Sequence, residues 1–474
     1  MITKGRTAVR PFYVKLQLSR PSSHPGQNWE NKRKEGENHL EFKIEKIVTG
    51  GYGLARVQSD SLALELKPES DPKETRAAHT REANTRAGSQ VILVEGALPG
   101  ERVEAVSIPS KGVARARVTR VIKASEQRVP ADNLPPTLNL AHASYEAQLE
   151  YKREFVLESL ERIGKISATV LPTHPSPDRW HYRTVVQYAI SGGRVGYRGR
   201  ESHDFVALSG DPIASEQIHD LLERLNPHEL GEAKEIVLRS SRLTGEVLVA
   251  LIGDGDRSGY GKAAHHLAGV GAAGVSLAPP DKVRFGKGAK LLWGEKTVLE
   301  KFGALELSVS ATGFAQVNPL AASELYLKTL KLAGKGQHAL DLYGGAGSIG
   351  LNLASQFERV TVLDVSREAL ERGDRDANRL EIGNVEFFEG EASDLRRDVD
   401  MIVLDPPRAG LDKKTLGRIS ASTAKRVVYI SCDPSTWGRD VGVLARAGWK
   451  LTHVEPWDFY PQTAHVEVLS LLER

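Results

Sequence analysis

The C-terminal third of the chain alternates apolar strands with helical stretches, and this alternation constrains the fold more than any other feature. Short apolar segments recur, with helical patterns between most of them, at 339–342, 360–364, 385–389, 401–405, 427–431 and 466–472. Strands separated by helix-length segments usually pair in parallel, with helices covering both faces of the sheet. The sequence therefore predicts an α/β fold with a doubly wound sheet over residues 311–474.

A glycine-rich turn follows the first of these strands. Gly344, Gly345, Gly347 and Gly350 separate the strand from the next helix, and Asp364 ends the second strand. Glycines let the backbone approach a ligand, and a carboxylate at this place can accept hydrogen bonds from both ribose hydroxyls of an adenosine cofactor. The pattern indicates a nucleotide cofactor. The same pattern could hold NAD, and a tight turn without a ligand is the plainer alternative.

Two further strand ends carry side chains that can do chemistry. Asp405 follows the fourth strand and precedes two prolines and Arg408, and Cys432, the only cysteine of the chain, follows the fifth. Because the carboxyl ends of parallel strands meet at one edge of a sheet, we expect Asp405 and Cys432 to lie beside the glycine loop. A thiol directly before a helix can have a lowered pKa, but a free cysteine is also often a small buried hydrophobe.

A nucleophilic thiol at this edge would need a base. Glu467 lies in the last apolar strand, where an acidic side chain is unusual and calls for a functional explanation. His465 is the rival candidate for the base. A thiolate can add to an unsaturated carbon of a substrate and make the neighbouring carbon nucleophilic, and a positioned carboxylate can then remove a proton. Cys432 and Glu467 are candidates for this chemistry, whereas a solvent-facing glutamate and a packed core histidine are the alternatives.

The rest of the chain divides into three parts by pattern. Residues 1–38 are polar and irregular, which predicts a disordered basic arm. Residues 39–125 show short strands between Gly and Pro turns, which predicts a small β-barrel with a polar insertion at about 59–89. In its last part, Arg115 and Arg117 alternate with alanines and would share one strand face. Residues 126–310 predict a central α/β domain.

Composition limits what this chain can be. A net charge of +3 suits nucleic-acid binding as well as ordinary solvated charge. One cysteine excludes an internal disulfide and any metal centre built from several cysteines. No apolar run approaches the ~20 residues of a membrane span, and no signal-peptide core is present, so the sequence predicts a cytoplasmic protein without a membrane partner.

Five motifs in chain order resemble those of the RNA (uracil-5-)-methyltransferases, which make 5-methyluridine in ribosomal and transfer RNA. They lie at 314–318, 340–350, 405–410, 431–434 and 463–467, and the resemblance covers about 40–474. It implies a Rossmann-like class I methyltransferase domain with S-adenosyl-L-methionine as cofactor. The matching site residues are Gln316, Tyr343, Asp364 and Asp405 for the cofactor, Cys432 for the nucleophile and Glu467 for the proton-abstracting base.

The sequence departs from the family's usual pattern at Asp364 and at the cluster cysteines, and the resemblance also includes the N-terminal barrel. The family often has Glu where this chain has Asp364, and Gln316 is assigned by the resemblance alone. Many members hold an iron–sulfur cluster on four cysteines, but here none of the four is a cysteine: Pro135, Leu138 and Asp211 stand at matching places. This implies no iron–sulfur cluster. Residues 39–125 resemble TRAM, an OB-like RNA-binding barrel fused to the ribosomal members, which favours 23S ribosomal RNA as the partner.

The leading hypothesis is therefore methylation of uridine C5 in 23S ribosomal RNA. The same chemistry on tRNA is the first alternative. A catalytically silent RNA-binding or assembly protein and an NAD-linked enzyme are the others, and the presence of both Cys432 and Glu467 argues against these two. No obligate protein partner is inferred.

Overall fold

The structure is a computed structural model, and it describes residues 39–58, 89–110, 112–131, 134–135, 137–198, 204–280, 289–394 and 398–474. The predicted arm at 1–38 lies outside these residues. So does the predicted insertion, except for Ser89, which begins a strand. No helix in the described ranges is both long enough and apolar enough to cross a membrane.

Six short strands form the N-terminal part: β1 (His39–Lys43), β2 (Lys46–Val48), β3 (Tyr52–Gln58), β4 (Ser89–Glu95), β5 (Arg102–Ile108) and β6 (Ala114–Lys123). Their order in the sheet is β1-β5-β6-β4-β3-β2, and only the β4–β6 pair is parallel. Apolar side chains such as Phe42, Ile92 and Val103 enclose one small core. The predicted small barrel is confirmed.

The central part contains helix α1 and a second sheet with two helices: α1 (Tyr145–Ser159), β7 (Val185–Ser191), β8 (Arg194–Arg198), β9 (Phe205–Ala207), α2 (Glu216–Arg224), β10 (Glu235–Ser240), β11 (Val247–Ile252), α3 (Gly261–Gly269), β12 (Gly274–Ala278) and β13 (Lys290–Gly294). The sheet order is β13-β12-β11-β10-β7-β8-β9. A hairpin, β14 (Thr297–Phe302) and β15 (Leu305–Ser310), follows.

Strand β11 contributes apolar side chains to a separate core on each face of this sheet. All its residues are buried, and successive side chains point to opposite faces. Val249 and Leu251 join the core under α2 and α3, while Leu248 and Ala250 join a second core. That second core also contains side chains of the C-terminal part, so the two parts pack against each other through this face.

The C-terminal part is the predicted alternation of strands and helices: α4 (Pro319–Ala333), β16 (Gly336–Leu342), α5 (Ser348–Leu353), β17 (Phe357–Asp364), α6 (Arg367–Arg379), β18 (Val385–Glu389), β19 (Met401–Leu404), α7 (Lys413–Ser420), β20 (Arg426–Ser431), α8 (Pro434–Arg446), β21 (Lys450–Trp457) and β22 (Glu467–Glu473). All six predicted strands are present. β21, which carries Thr452, His453 and Glu455, is the additional one.

These strands form one twisted sheet in the order β18-β17-β16-β19-β20-β22-β21. The first five are parallel, and β22 runs antiparallel between β20 and β21. The strand order reverses between β16 and β19, and ligands of such sheets bind in the crevice outside the carboxyl ends at this reversal. The doubly wound α/β fold is confirmed, and its geometry places the glycine loop, Asp405 and Cys432 along this edge.

Helix α1 contacts both the barrel and the C-terminal part. Its last turn continues as a π turn, Leu160–Gly164, which packs on α8 at very short range. A Cβ added to Gly438 would lie 2.7 Å from the Ser159 carbonyl oxygen, so only glycine permits this approach. On the barrel side, Ile47 and Leu98 share a core with Phe155 of the helix.

Candidate active site

The loop between β16 and α5 turns at a residue that is not glycine. Tyr343 has a φ of 61°, in the left-handed region, and Gly345 and Gly347 follow with φ values of 56° and 73°. A left-handed conformation costs a residue with a Cβ about 1–2 kcal/mol, and strain of this kind concentrates at functional sites. Burial raises the pKa of Tyr343 and Thr415 of α7 acts in the opposite direction, so the Tyr343 hydroxyl lies near that helix.

Asp364 closes the other side of this loop. Its two carboxylate oxygens accept hydrogen bonds from the N–H groups of Gly345, at 3.0 Å, and Ser366, at 2.7 Å. A carboxylate has about four lone-pair sites, so each oxygen can still accept a ribose hydroxyl. A Cβ added to Gly345 would meet no other atom within 4 Å, which leaves open space over the turn. The loop and Asp364 therefore fit an adenosine ligand.

Gln316 and Asp405 meet in the crevice although they are far apart in the chain. The Gln316 Nε2 donates to Asp405 Oδ2 at 3.4 Å, across a sequence separation of 89 residues. Burial raises the pKa of Asp405 to about 7, and the Gln316 amide acts in the opposite direction. Gln316 lies in the loop between β15 and α4, where no local pattern marks it, so only the family resemblance could find it.

Cys432 directly follows β20, and Glu467 is the first residue of the neighbouring antiparallel strand β22. The last pair of the ladder joins Ser431 with Val468, so Cys432 and Glu467 are the next residues beyond it, and the Glu467 carboxylate is near enough to raise the pKa of the thiol. Glu467 is 2% exposed, and its Oε2 has no hydrogen-bond partner among the described residues. A buried carboxylate with an available oxygen thus lies beside the thiol.

The titratable groups of this edge affect one another. Burial raises the pKa of Cys432 to about 12, with further contributions from the carboxylates of Glu467 and Asp405, and Arg408 acts in the opposite direction. Burial, then Asp405, raises the pKa of Glu467 well above its ordinary value, and Arg408 again opposes. The structure therefore brings together one thiol, two acids and one guanidinium.

The expectation that the helix start lowers the pKa of the thiol is wrong. Helix α8 does begin directly after Cys432, but the carboxylate of Asp433 accepts hydrogen bonds from the N–H groups of Ser435 and Thr436, both at 2.9 Å. Asp433 therefore caps the helix and satisfies donors that could have favoured a thiolate. Burial and the nearby carboxylates raise the pKa instead.

Two neighbours complete this region. His465, the rival base, is exposed and lies 3.4 Å from Arg408, measured between its Nδ1 and the arginine Nη2. Tyr460 was not marked by sequence reasoning. Burial and Glu467 raise its pKa, and Cys432 and Asp405 contribute to the same shift, which places its hydroxyl among these groups. Its position in the aromatic-rich segment 457–460, just before the last strand, is the sequence feature that could have marked it as a candidate.

The positions that match cluster ligands in the family are used differently here. Leu138 is buried in a small apolar core, and Asp211 accepts hydrogen bonds from the hydroxyls of Tyr188 and Tyr197, at 2.8 and 2.5 Å. A single cysteine cannot supply the four thiolates of an iron–sulfur cluster. The segment that precedes Leu138 is joined to the barrel by an ion pair at 2.6 Å between Arg128 and the fully buried Glu101.

Comparisons with known protein families agree with this geometry. Residues 386–474 match the model of the tRNA (Uracil-5-)-methyltransferase family, and residues 305–426 match a methyltransferase small domain. The first match includes Asp405, Cys432 and Glu467. In the structural comparison, the chain is similar to the Pyrococcus abyssi tRNA (uracil-54, C5)-methyltransferase in complex with S-adenosyl-L-homocysteine. The TM-score is 0.67 at 23% identity, over 91% of this chain and 100% of that one.

The similarity to relatives extends over most of the chain. An uncharacterized RNA methyltransferase of Halalkalibacterium halodurans is 34% identical over 443 residues, which cover 83% of this chain and 96% of the relative. An uncharacterized RNA methyltransferase of Listeria innocua is 32% identical over 430 residues, covering 81% and 93%. Together with the family match at the thiol-bearing edge, these similarities show that the chain belongs to the RNA (uracil-5-)-methyltransferase family.

Proposed function

We propose that the protein methylates C5 of a uridine in 23S ribosomal RNA, with Cys432 as the nucleophile and Glu467 as the base. Methylation of RNA uracil at C5 is the activity of the family. The observation that carries the mechanism is the buried carboxylate of Glu467 near Cys432 at the end of β20. A silent RNA-binding protein would have no need to keep an acid desolvated beside a thiol, because a buried carboxylate is costly.

S-adenosyl-L-methionine is the cofactor, and when bound it supplies an electrophilic methyl group. Asp364 would accept hydrogen bonds from its ribose, and the strained turn at Tyr343 would approach it through the backbone. Gln316 and Asp405 would face the reacting end, because they line the crevice between the glycine loop and the thiol. The lone pairs that the two Asp364 oxygens still have available and the open space over Gly345 support the assignment of Asp364 and this turn to cofactor binding.

Cys432 begins the reaction. After losing its proton to solvent water, the sulfur attacks C6 of the target uracil, and the new S–C6 bond turns the ring into an enolate whose C5 is nucleophilic enough to take the methyl group. The raised pKa keeps the thiol protonated before substrate binds, because burial disfavours the charged form. Arg408 is the neighbour whose charge favours the thiolate.

Glu467 ends the reaction. Once C5 carries the methyl group it also carries a proton, and the Glu467 carboxylate takes that proton. The electrons of the C5–H bond restore the ring double bond and expel the Cys432 sulfur from C6. A raised pKa makes Glu467 a stronger base than an ordinary carboxylate, and its Oε2 has no other partner among the described residues.

The barrel supplies a surface for the RNA backbone. On β6, Arg117 and Arg120 are more than 60% exposed, and each is paired with a glutamate of a neighbouring strand. Exposed ion pairs of this kind contribute only about 0–1 kcal/mol, so phosphates can compete for the guanidinium groups. The target uridine must leave its stack to reach Cys432, as other nucleobases do in enzymes that modify them.

The choice of RNA rests on the barrel. Its resemblance to TRAM favours ribosomal RNA. A tRNA is the second candidate, because the similarity to the Pyrococcus tRNA enzyme covers 91% of this chain and all of that one. A barrel of this kind is therefore compatible with either RNA class.

The test is mass spectrometry of 5-methyluridine in separated 23S ribosomal RNA and tRNA. Cells lacking the gene would be compared with cells complemented by the wild-type protein or by Cys432→Ala. We expect the nucleoside to disappear from 23S ribosomal RNA and to return only with the wild-type protein. Loss from tRNA alone would transfer the assignment to tRNA. Full complementation by Cys432→Ala would contradict the mechanism.

A further inference from the structure

The loop that leads into Glu467 is held by a buried ion pair that the mechanism does not use. Residues 458–466 connect β21 to β22. Lys152 of α1 donates from Nζ to Asp458 Oδ1, at 2.5 Å, and to the carbonyl oxygen of Tyr460, at 3.1 Å. The side chains of Lys152 and Asp458 are both 0% exposed. One ammonium group therefore binds this loop at two points.

A buried ion pair is an expensive way to hold a loop. Removing both charges from water costs about as much as their attraction returns, and apolar residues of similar volume are often equally stabilising. What an ion pair adds is direction, because the ammonium group must face defined oxygens. Lys152 and Asp458 are 306 residues apart in the chain, so their pairing brings distant segments into one fixed arrangement.

A second contact from the same helix face supports this interpretation. Gln148 lies four residues, about one turn, before Lys152. Its Nε2 donates to Gln462 Oε1 and its Oε1 accepts the Gln462 N–H, both at 2.9 Å. Gln462 has a φ of 69°, a left-handed conformation that persists only where the surroundings impose it. Helix α1 therefore fixes the loop at several consecutive places.

These contacts continue along the loop toward the proposed base. The Tyr460 carbonyl oxygen that accepts from Lys152 also accepts from the N–H and the hydroxyl of Thr463, at 3.2 and 2.8 Å. Thr463 precedes Glu467 by four residues. Glu467 is the first residue of β22, directly after this loop, and its Oε2 has no hydrogen-bond partner among the described residues, so the end of the loop and the start of the strand carry this carboxylate.

We propose that Lys152 is a positioning residue for Glu467. Through Asp458 and Tyr460 it fixes the loop 458–466, so that the Glu467 carboxylate meets the C5 proton of the methylated uracil. This inference rests on the proposed roles of Cys432 and Glu467. Lys152 touches no reacting atom, and its loss slows only the last step. The covalent protein–RNA intermediate then accumulates while attack and methyl transfer continue.

The test measures how much enzyme is trapped on RNA during turnover. Purified full-length protein would be given RNA and S-adenosyl-L-methionine, and the covalent fraction would be read on a denaturing gel beside kcat and the KM for the cofactor. The variants are Lys152→Met and the paired change Lys152→Met with Asp458→Leu, which leaves no buried charge unpaired. A misplaced group can lower a rate about 100-fold. We expect kcat to fall by about 10- to 100-fold, the covalent fraction to rise and the KM to change little.

Glu158→Gln is the matched control. Glu158 is on the same helix and pairs with Lys46 at 2.8 Å, but it does not touch the loop, so we expect wild-type kcat and covalent fraction. A folded paired variant with wild-type kinetics would overturn the proposal. So would a lower kcat without more adduct, or failure of both variants to fold, since each indicates a merely structural pair. In the same assay, Glu467→Gln must trap adduct; if it does not, the proposed function itself fails.

Discussion

The carboxylate of Glu467 raises the pKa of the Cys432 thiol, and the two residues lie at the ends of strands that pair directly with each other. The ladder between β20 and β22 ends at the pair Ser431 and Val468, directly before the proposed nucleophile and directly after the proposed base. The thiol is also the only one in the chain. A reagent that modifies thiols therefore reports on this one relationship.

The first prediction concerns the ionisation of Cys432. The rate of its alkylation by iodoacetamide should stay low through neutral pH and rise only in strongly alkaline solution, because the pKa is raised to about 12. Glu467→Gln removes a negative neighbour and should shift the profile to lower pH, whereas Arg408→Met removes a positive neighbour and should shift it to higher pH. Superimposable profiles for the three proteins would contradict the electrostatic relationship.

Cys432→Ala should abolish methyl transfer while leaving cofactor binding intact. The change removes the atom that attacks C6, but Cys432 is not among the residues proposed to hold S-adenosyl-L-methionine. Calorimetric titration should give a cofactor Kd within about twofold of wild type, and the transfer of labelled methyl to RNA should be undetectable. Residual transfer near the wild-type rate would rule out covalent catalysis.

Glu467→Gln should trap the enzyme on its RNA. Gln cannot take the C5 proton, so the sulfur cannot be expelled and a covalent complex should remain on a denaturing gel. His465→Gln is the matched control, because it removes the exposed rival base and should leave turnover nearly unchanged. Adduct with His465→Gln, and none with Glu467→Gln, would reverse the assignment.

Asp364→Asn should weaken cofactor binding. The hydrogen bonds that Asp364 is proposed to accept from a ribose are charge-assisted, and losing such a bond costs about 1.5–3 kcal/mol, or roughly 10- to 100-fold in Kd. Calorimetric titration with S-adenosyl-L-homocysteine measures this directly. Asp374→Asn, an exposed change on α6, should bind as wild type does. Equal Kd values for both variants would exclude Asp364 from the cofactor site.

The double change Arg117→Gln and Arg120→Gln should weaken RNA binding and flatten its salt dependence. Each lost phosphate contact lowers the slope of log K against log salt by about 0.7–0.9. Arg162→Gln, at an arginine that is 70% exposed outside the barrel, is the control and should have little effect. Point changes are preferable to deletion of the barrel, because Ile47 and Leu98 share a core with α1. An unchanged slope would remove β6 from the RNA-binding surface.

Local patterns predicted the main elements of the C-terminal sheet because burial on both faces leaves a continuous apolar run. β19, with all of its residues buried, is an example. The pattern failed at β21, which lies at the sheet edge and whose polar residues Lys450, Thr452, His453 and Glu455 interrupt any apolar run before Pro456. Tyr460 was missed for a different reason: Trp457 and Phe459 beside it are buried, so the segment has the pattern of core packing, and only the fold brings Cys432 and Asp405 near Tyr460.

The sequence by itself determined the doubly wound fold, the glycine turn before α5 and the presence of one cysteine at a strand end, because each depends on residues that are close together in the chain. Only the tertiary structure decided which side chains meet. It brought Gln316 to Asp405 and Lys152 to Asp458, and it raised the pKa of Cys432 where the helix start had suggested the opposite. Burial and the effect of nearby charges depend on side chains from distant segments of the chain, so no local sequence pattern can indicate them.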